Sequence, residues 1–441
     1  MSKASPIFGN LLSRALVTQV TGVKDKRIAS LWAGYGTVTA ITAVVQPRDG
    51  APPATSASGT SGNSGTSTAA LAPCAQLVLD DAYSRVGAGK PAALSLVVKQ
   101  VRPPRGSGVG HERKVASYAA EAHFYTHWAP QLLLPPPHHR ASHGTGAALP
   151  FSPLAIPCPV YIDAQPPHSF TFVLSDLRGE YPVAAGDMSA GELKVALSWL
   201  AQLHAAFWEV PSEELKGLWP QGSYWYLDTR QDELRAMPGE WGELKAQASR
   251  IDSLLKGMQP NGSFDGAHMT MVHGDFKPAN ILFSRDKRSP HPPTNILFSR
   301  DKRRCAAYDF QYVGRGFGAR DIAYLFCSAA SDSLLSSSYD SLLDHYHAEL
   351  VAALGARAAG DGIGASGSER ASGSESASGS EGGGGGGGSA RSLGEGYTRE
   401  VLARHVDWAL LDFVRFMAGW GIWGAAGWAE RRARELLIRG V

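Results

Sequence analysis

The stretch that most constrains this chain is HGDFKPAN at 273–280, which is followed by an apolar segment and then by DFQ at 309–311. Within it, Asp275 stands five residues before Asn280. Phosphoryl transfer from a nucleotide requires a carboxylate that orients the attacking hydroxyl and accepts its proton, and it requires oxygen ligands for Mg²⁺. A carboxylate on a loop, an amide oxygen one turn later and a second carboxylate, Asp309, beyond a hairpin meet that requirement. The spacing therefore favours a fold built around a phosphoryl-transfer site.

Further residues stand where such a site needs them. Lys99 ends the apolar strand SLVVK and is placed to contact nucleotide phosphates, and Glu121 in the next predicted helix is placed to pair with it. Gly34 and Gly36 flank a tyrosine between two predicted strands, and glycine lets backbone amides approach phosphates closely. Lys277, two residues past the loop aspartate, is positioned to neutralise the transferred phosphate.

Each of these elements also has an ordinary structural explanation. A Gly-Tyr-Gly stretch is usually a hairpin turn, a lysine that ends a strand is normally solvated, and a helical glutamate normally lies on the surface. The glycine segment is also too short for a GxGxxG or Walker A loop. Taken together and in this order, however, the segments match the H-R-D-x-x-x-x-N and D-F-G pattern of kinases. The combination predicts a kinase-like protein.

The sequence resembles a known group of phosphotransferases. HGDFKPANILF and AAYDFQYVG look like segments of the aminoglycoside phosphotransferases, the choline kinases and the ecdysteroid-kinase-like (CHK kinase-like) proteins. The glycine after His273, where protein kinases carry arginine, is typical of the small-molecule branch. RKVASYAAEAHFY at 113–125 and DFQ in place of DFG resemble the CHK kinase-like subgroup most closely.

The resemblance implies an α+β, bilobal protein-kinase-like fold, with an antiparallel N-lobe sheet plus one helix and a mainly helical C-lobe. It implies that ATP and Mg²⁺ bind between the lobes and that phosphate passes to a hydroxyl of a small-molecule acceptor. By the same match, Asp275 is the catalytic base and Asn280 and Asp309 are metal ligands. Lys99 and Glu121 form the phosphate-positioning pair. The adenine hinge is LSDL at 174–177, with Ser175, Asp176 and Leu177. Asp321 is expected to be a structural anchor rather than a substrate contact, and His204 a packed helix residue rather than a catalytic one.

Periodicity predicts where the main elements lie. β-branched and aromatic residues favour strands, and apolar residues at three- to four-residue spacing favour helices. The predicted elements are two strands around a turn at 28–45, strands at 93–101 and 169–177, and helices at 111–128, 192–208 and 401–420. Strands thus precede helices, which divides the chain into an N-lobe over 1–173 and a C-lobe over 174–441.

Four inserts interrupt this pattern. Residues 46–76, 134–159 and 356–392 are rich in Gly, Ser, Pro, Thr or His. Such compositions bury too little apolar surface to offset the entropy of ordering, so we expect loops or disorder there. The fourth insert, at 284–304, contains a duplication.

The nonapeptide NILFSRDKR occurs twice, with its two copies fifteen residues apart. Asn280, in the first copy, lies at the required distance from Asp275, whereas Asn295, in the second, has no aspartate five residues upstream. We therefore expect Asn280 to be the ligand and the duplication to lengthen the hairpin before Asp309. In the alternative, the second copy takes the strand, with Ile296–Phe298 paired beside Asp309, and Asn280 moves away from the metal.

Charge and hydropathy exclude several classes of protein. A formal net charge of +2 gives no electrostatic case for binding nucleic acid or an anionic membrane. No uncharged apolar run approaches the length of about 18 residues that a membrane span needs. Four scattered cysteines without a CxxC pair argue against a disulfide scaffold or a zinc site. The His-rich stretch 135–143 lacks partners of fixed spacing, which favours a solvated loop over a metal site.

The leading hypothesis is therefore a cytoplasmic, ATP-dependent small-molecule kinase with no evident protein partner. The basic, acid-free start, MSKASPIFGNLLSRALVTQV, leaves an organellar transit peptide open. The alternative function is a catalytically inactive, nucleotide-binding pseudokinase or scaffold, because the duplication could damage the site. A protein kinase is disfavoured, because the loop lacks the arginine of HRD and no APE-like segment follows. Aromatic residues such as Trp219, Trp225 and Tyr226 could stack an acceptor, although core packing is the favoured role.

Overall fold

The structure is a computed structural model that describes residues 6–47, 72–87, 89–134, 154–258, 263, 265–285, 304–362, 394, 396–421 and 424–440. The His-rich stretch, the second copy of the nonapeptide and most of the predicted inserts lie outside the described residues. Among the helices that are described, none is both long enough and apolar enough to cross a membrane.

Five antiparallel strands form the N-terminal sheet. They are β1 (Val20–Ser30), β2 (Gly36–Val45), β3 (Ala92–Val101), β4 (Pro159–Gln165) and β5 (Ser169–Ser175). Their order across the sheet is β1-β2-β3-β5-β4. The accompanying helices are α1 (Pro6–Leu16), α2 (Pro73–Ser84) and α3 (Val109–His123), which continues through a π-helical turn, Phe124–Trp128, into α4 (Ala129–Leu133).

Alternation along β3 decides which way Lys99 points. Leu94, Leu96 and Val98 are buried in a core that they share with α1 and α2. Successive side chains of a strand point to opposite faces, so Val97 and Lys99 lie on the other face of the sheet. Both line the cavity described below. The apolar pattern that makes SLVVK a strand thus also directs its lysine away from the core.

The C-terminal part is mainly helical. Its helices are α5 (Ala190–Ala206), α6 (Gln231–Ala236), α7 (Gly242–Leu255), α8 (Ala319–Ala329), α9 (Asp332–Gly362), α10 (Arg399–Trp420) and α11 (Ala426–Arg439). Its short strands are β6 (Val183–Ala184), β7 (Met269–Val272), β8 (Ile281–Phe283), β9 (Cys305–Ala307) and β10 (Gly314–Phe317). They form a sheet of order β6-β8-β9 and a pair of β7 with β10. The predicted α+β class, with an antiparallel N-terminal sheet and a mainly helical C-terminal part, is confirmed.

The hairpin β8–β9 decides between the two copies of the nonapeptide. Ile281 pairs with Ala307 and Phe283 with Cys305, so the first copy occupies the strand that precedes Asp309. The alternative, in which Ile296–Phe298 takes this strand, is therefore wrong. The first copy holds the strand because Ile281 and Phe283 alternate into the core while their neighbour Asn280 stays next to the loop aspartate.

Some boundaries differ from those predicted. Helix α2 begins at Pro73, inside the segment 46–76, because proline suits the first helical turn and the short apolar face of α2 packs into the core beneath the sheet. Residues 154–158 likewise include side chains that are buried, and α9 runs past residue 356 to Gly362. Strand β5 ends at Ser175, so the predicted lobe boundary at 173/174 falls within a strand.

Candidate active site

A cavity of about 230 Å³ lies between the N-terminal sheet and the hairpin β8–β9. Apolar side chains from both sides line it, namely Leu31, Val38, Val97, Leu174 and Leu282. Lys99, Glu121 and Asp309, three of the predicted site residues, also line it. The fold therefore brings together a strand lysine, a helix glutamate and the DFQ aspartate, which are far apart in the sequence.

These three residues form a buried ionic group. Lys99 Nζ lies 2.7 Å from Glu121 Oε2 and 2.9 Å from Asp309 Oδ1. Burial disfavours the ammonium, but the negative charges of Asp309 and Glu121 outweigh burial and raise the pKa of Lys99 well above its ordinary value. Lys99 therefore stays protonated.

The two carboxylates of this group differ in acidity. Burial would raise the pKa of Asp309, but the ammonium of Lys99 outweighs it and lowers that pKa to about 2. For Glu121 burial prevails over Lys99 and raises the pKa to about 7. The group thus combines a protonated Lys99 and an ionised Asp309 with a glutamate that is much less acidic than Asp309.

Asp309 has a backbone conformation that few residues adopt. Its φ is 70°, in the left-handed region that costs a non-glycine residue free energy. The next side chain, Phe310, stacks on Phe124 with ring centroids 4.0 Å apart and lies 4.6 Å from the ring of His273. This packing holds the tripeptide between the extension of α3 and the loop 273–280.

The loop 273–280 is fixed by Asp321 at the start of α8. Asp321 Oδ2 accepts a hydrogen bond from His273 N at 2.7 Å, and Oδ1 accepts one from Gly274 N at 2.9 Å. His204 Nε2 lies 3.2 Å from Oδ2, and all of these groups are buried. The expectations that Asp321 is a structural anchor and that His204 is a packed helix residue are confirmed.

Gly274 explains why this loop reads HGD rather than HRD. Its φ is 78°, and a Cβ at this position would lie 2.0 Å from the carbonyl oxygen of Tyr312. No side chain fits there without displacing the backbone that follows DFQ. The glycine thus allows the loop and the segment after Asp309 to approach each other.

Asp275 and Asn280 are linked within the loop. Asn280 Nδ2 donates to Asp275 O at 2.9 Å and to Asp275 Oδ2 at 3.0 Å, and Lys277 Nζ lies 3.0 Å from Asp275 Oδ1. Burial raises the pKa of Asp275 to about 6, although Lys277 acts to lower it. The charge of Asp309 also contributes to this rise, so the two carboxylates lie within electrostatic reach of each other.

The predicted hinge follows β5 directly. Ser175 N donates to Cys158 O at 2.9 Å and Asp176 N donates to Ser95 O at 3.1 Å, so these two amides hold the strand ends together. Ser175 and Leu177 line the cavity. Asp176 instead caps the following turn, where its Oδ1 accepts a hydrogen bond from Arg178 N at 3.0 Å.

Gly36, one of the two glycines at the turn between β1 and β2, has a structural role that the sequence alone could not reveal. Gly34 has φ 76° and Gly36 has φ 155°. A Cβ on Gly36 would lie 2.0 Å from Gln100 O, so this glycine lets β2 run close to β3. Leu31 and Val38, on either side of the turn, line the cavity.

Sequence reasoning did not identify the partners of Gln311. Its Nε2 donates to Asp309 Oδ1 at 2.6 Å, and its Oε1 accepts hydrogen bonds from Lys114 Nζ at 2.9 Å and Ser117 Oγ at 3.1 Å. The available signal was the spacing of Lys114, Ser117 and Glu121, which places them on one face of α3.

Three tyrosines near Asp275 were also not predicted. Tyr224 and Tyr324 have hydroxyl oxygens 3.2 Å apart, and the Tyr224 and Tyr312 ring centroids are 5.5 Å apart. After burial, the charge of Asp275 is among the causes that raise the pKa of each of the three hydroxyls. Lys277 Nζ lies 5.9 Å from the centre of the Tyr224 ring.

The aromatic residues that the sequence suggested as acceptor contacts divide into two kinds. Trp225 is fully buried and Tyr226 is buried, in agreement with the favoured core-packing role. Trp219 is half-buried, and its Nε1 donates to Gln311 O at 2.7 Å. It therefore packs directly against the DFQ segment.

The chain matches the models of two phosphotransferase families. Residues 79–289 match the phosphotransferase enzyme family, and residues 237–357 match the ecdysteroid kinase-like family. The resemblance predicted from the motifs is confirmed. Lys99, Glu121, Asp275 and Asn280 fall within the first match and Asp309 within the second. These matches support a kinase-type enzyme, whereas no curated protein sequence matches the chain.

Solved structures similar to this one include small-molecule kinases. A choline kinase from Cryptosporidium parvum Iowa II is 10% identical, over 95% of this chain and 88% of that chain, with a TM-score of 0.40. A microcompartment-associated aminopropanol kinase is 12% identical, over 96% and 94%, with a TM-score of 0.40. An aminoglycoside phosphotransferase from Streptomyces rimosus, in complex with ADP and streptomycin, is 15% identical, over 64% and 97%, with a TM-score of 0.34.

Proposed function

We propose that this protein is an ATP- and Mg²⁺-dependent phosphotransferase that transfers the γ-phosphate to a hydroxyl of a small molecule. The observation that carries the proposal is the contact of Lys99 with both Glu121 and Asp309 inside one cavity, beside the loop that bears Asp275 and Asn280. An isolated lysine, glutamate or aspartate would have an ordinary structural explanation. Their convergence from a strand, a helix and a hairpin does not.

Two features of the cavity suit a nucleotide, namely its apolar walls and one backbone N–H donor. Ser175 and Asp176 use their amides within the sheet, whereas the N–H of Leu177 has no hydrogen-bond partner among the described residues. We assign the apolar walls and this amide to the adenine base, and Lys99, held by Glu121, to the phosphates. Gly34 and Gly36 belong in this proposal as the turn that covers the phosphates.

The residues present fit a magnesium ion. Asn280 Oδ1 and Asp309 Oδ2 accept no hydrogen bond from a described residue, while the other polar atoms of these two side chains are engaged. No group of three or more His, Cys, Asp or Glu suited to a metal occurs in the described ranges, but Mg²⁺ is usually held by one or two protein oxygens plus phosphates and water. We assign Asn280 and Asp309 as its ligands. When bound, the ion would neutralise charge on the phosphates.

Asp275 is assigned as the base that orients the acceptor hydroxyl and receives its proton. Its pKa of about 6 leaves it largely ionised at neutral pH, yet makes it a stronger base than an ordinary aspartate. Lys277, 3.0 Å from Asp275 Oδ1, supplies positive charge for the transferred phosphate. Tyr224, whose ring centre lies 5.9 Å from Lys277 Nζ, and its neighbours Tyr312 and Tyr324 are the residues we assign to the acceptor side.

The test is to separate transfer from nucleotide binding with Asp275→Asn. A panel of small hydroxylated compounds is first screened with the wild type for acceptor-dependent formation of ADP. The variant should lose this activity by at least about a hundredfold, because general-base catalysis typically contributes that much. It should keep the rise in melting temperature that Mg²⁺·ATP produces. Retained turnover removes Asp275 from the base role, and binding without turnover in the wild type favours the pseudokinase alternative.

A further inference from the structure

Helix α3 holds Asp309 through two separate bridges. In the first, Lys99 Nζ contacts Asp309 Oδ1 at 2.9 Å and Glu121 Oε2 at 2.7 Å. In the second, Gln311 Nε2 donates to the same Oδ1 at 2.6 Å, and Gln311 Oε1 accepts hydrogen bonds from Lys114 Nζ at 2.9 Å and Ser117 Oγ at 3.1 Å. Both bridges therefore end on one oxygen of Asp309, and both begin on the same face of α3.

A glutamine is well matched to the second bridge. Its amide donates an N–H to the carboxylate and at the same time offers an oxygen to an ammonium and a hydroxyl. Gln311 is 4% exposed, so water cannot replace these bonds if the side chain is removed. A glycine, as in the DFG tripeptide of protein kinases, has no side chain with which to form such a bridge.

The two bridges leave Oδ2, the second carboxylate oxygen of Asp309, available to a ligand. Lys99 and Gln311 both bind Oδ1, and Oδ2 accepts no hydrogen bond from the residues that the structure describes. Two bonds to one oxygen fix the rotation of the carboxylate about its last torsion. The backbone of Asp309, with φ 70°, is not that of a regular strand. The two bonds to Oδ1 therefore orient its side chain.

We propose that Gln311 is a positioning residue for the metal site, clamped by Lys114 and Ser117 so that it orients Asp309 with Oδ2 directed to Mg²⁺. The inference rests on the proposed function, since it assigns a role toward the same ion. It makes α3 the element that sets metal affinity. It also gives the glutamine of DFQ a function distinct from the packing of Phe310.

The test measures Mg²⁺ affinity rather than turnover. Melting temperature is recorded at a fixed, saturating concentration of ATP while Mg²⁺ is titrated, and the half-saturating Mg²⁺ concentration is read from the rise. Gln311→Met keeps the side-chain length but cannot form the hydrogen bonds. It should raise the half-saturating concentration by about 10- to 100-fold, the usual cost of losing a residue that orients a metal ligand.

The matched control is Gln221→Met. Gln221 is 6% exposed and bonds Arg320 and Asp252 in a separate buried network, so its replacement tests the general cost of losing a buried amide. This variant should melt at a lower temperature without ATP, but its half-saturating Mg²⁺ concentration should match that of the wild type. A similar fall in melting temperature in Gln311→Met with an unchanged Mg²⁺ titration would show that Gln311 is only structural.

The far end of the bridge supplies a second test if Gln311→Met does not fold. Ser117→Ala combined with Lys114→Met leaves Gln311 in place but removes both groups that clamp it. The double variant should also raise the half-saturating Mg²⁺ concentration by about tenfold or more, and an unchanged value would overturn the inference. If the wild type itself shows no Mg²⁺·ATP effect, the proposed function fails. If the wild type responds and both variants titrate normally, only the role of Gln311 fails.

Discussion

Glu121 should make the stability of this protein depend on pH in a way that one conservative substitution removes. The residue is 1% exposed, and burial raises its pKa from 4.5 to about 7 despite the adjacent ammonium of Lys99. The native state therefore binds this proton more tightly than the unfolded chain does. The resulting stabilisation is complete below the unfolded pKa and is lost as the pH rises through 7. Glu121→Gln abolishes the titration while keeping the shape of the side chain and an oxygen that can accept from Lys99.

The size of the effect follows from the two pKa values. A shift from 4.5 to about 7 is worth about 2–3 kcal/mol of unfolding free energy at pH 5 and almost nothing at pH 8. Urea denaturation of the wild type and of Glu121→Gln at these two pH values gives the contribution directly. Between pH 8 and pH 5 the wild type should gain about 2–3 kcal/mol over the variant. When the unfolding free energies of the two proteins are subtracted, the contributions of the other titrating groups cancel to first order.

The control for this measurement is Glu243→Gln, at an exposed glutamate in the first turn of α7. Its stability should run parallel to that of the wild type over the same pH range. If Glu121→Gln is also parallel to within about 0.5 kcal/mol, the ordinary scatter of surface substitutions, Glu121 titrates like an exposed glutamate. That result would mean that the attraction of Lys99 offsets burial at Glu121, and it would refute the prediction that burial prevails there.

Two further predictions concern the loop and the duplication. Asp321→Asn leaves one acceptor oxygen for the N–H groups of His273 and Gly274, so it should destabilise the fold by about 2–4 kcal/mol in urea denaturation. The control Asp340→Asn, at an exposed site, should cost less than about 0.5 kcal/mol. An equal, small effect of both substitutions would show that Asp321 does not anchor the loop. Deletion of 289–303 removes the second copy of NILFSRDKR. The rise in melting temperature that Mg²⁺·ATP produces should be unchanged in this variant, because the first copy forms β8. A variant that folds but shows no rise would mean that the second copy contributes to the site.

Much of the candidate site was predictable because its signals are local. The spacing of Asp275 and Asn280 fixes them on one turn, where the structure joins them by a hydrogen bond of 3.0 Å. The apolar run SLVVK was enough to predict a strand that carries Lys99, which lies two residues before the end of β3 at Val101, and periodicity placed Glu121 on a helix. Their pairing across the fold, at 2.7 Å, follows once the strand and the helix pack together.

What the sequence could not reveal depends on long-range geometry. The bridge from Gln311 to Lys114 joins residues far apart in the chain, and a glutamine after Asp-Phe has many ordinary roles. Gly36 is required because a Cβ there would collide with Gln100 O on the neighbouring strand. This contact is not visible in the sequence, so the glycines could equally indicate a phosphate-binding loop. Helix α2 begins at Pro73, inside the segment 46–76 whose composition predicted a loop, because its short apolar face is stabilised only by the core that it covers.

The Mg²⁺-dependent nucleotide site that we propose around Asp309 can be tested by thermal unfolding with and without Mg²⁺·ATP. A ligand at about 100 times its dissociation constant stabilises the folded state by about 2.7 kcal/mol, a readily measured rise in melting temperature. We expect this rise for the wild type and for Asp340→Ala, an exposed control, and no rise for Asp309→Ala. An undiminished rise in Asp309→Ala, or no rise in the wild type, would contradict the proposal.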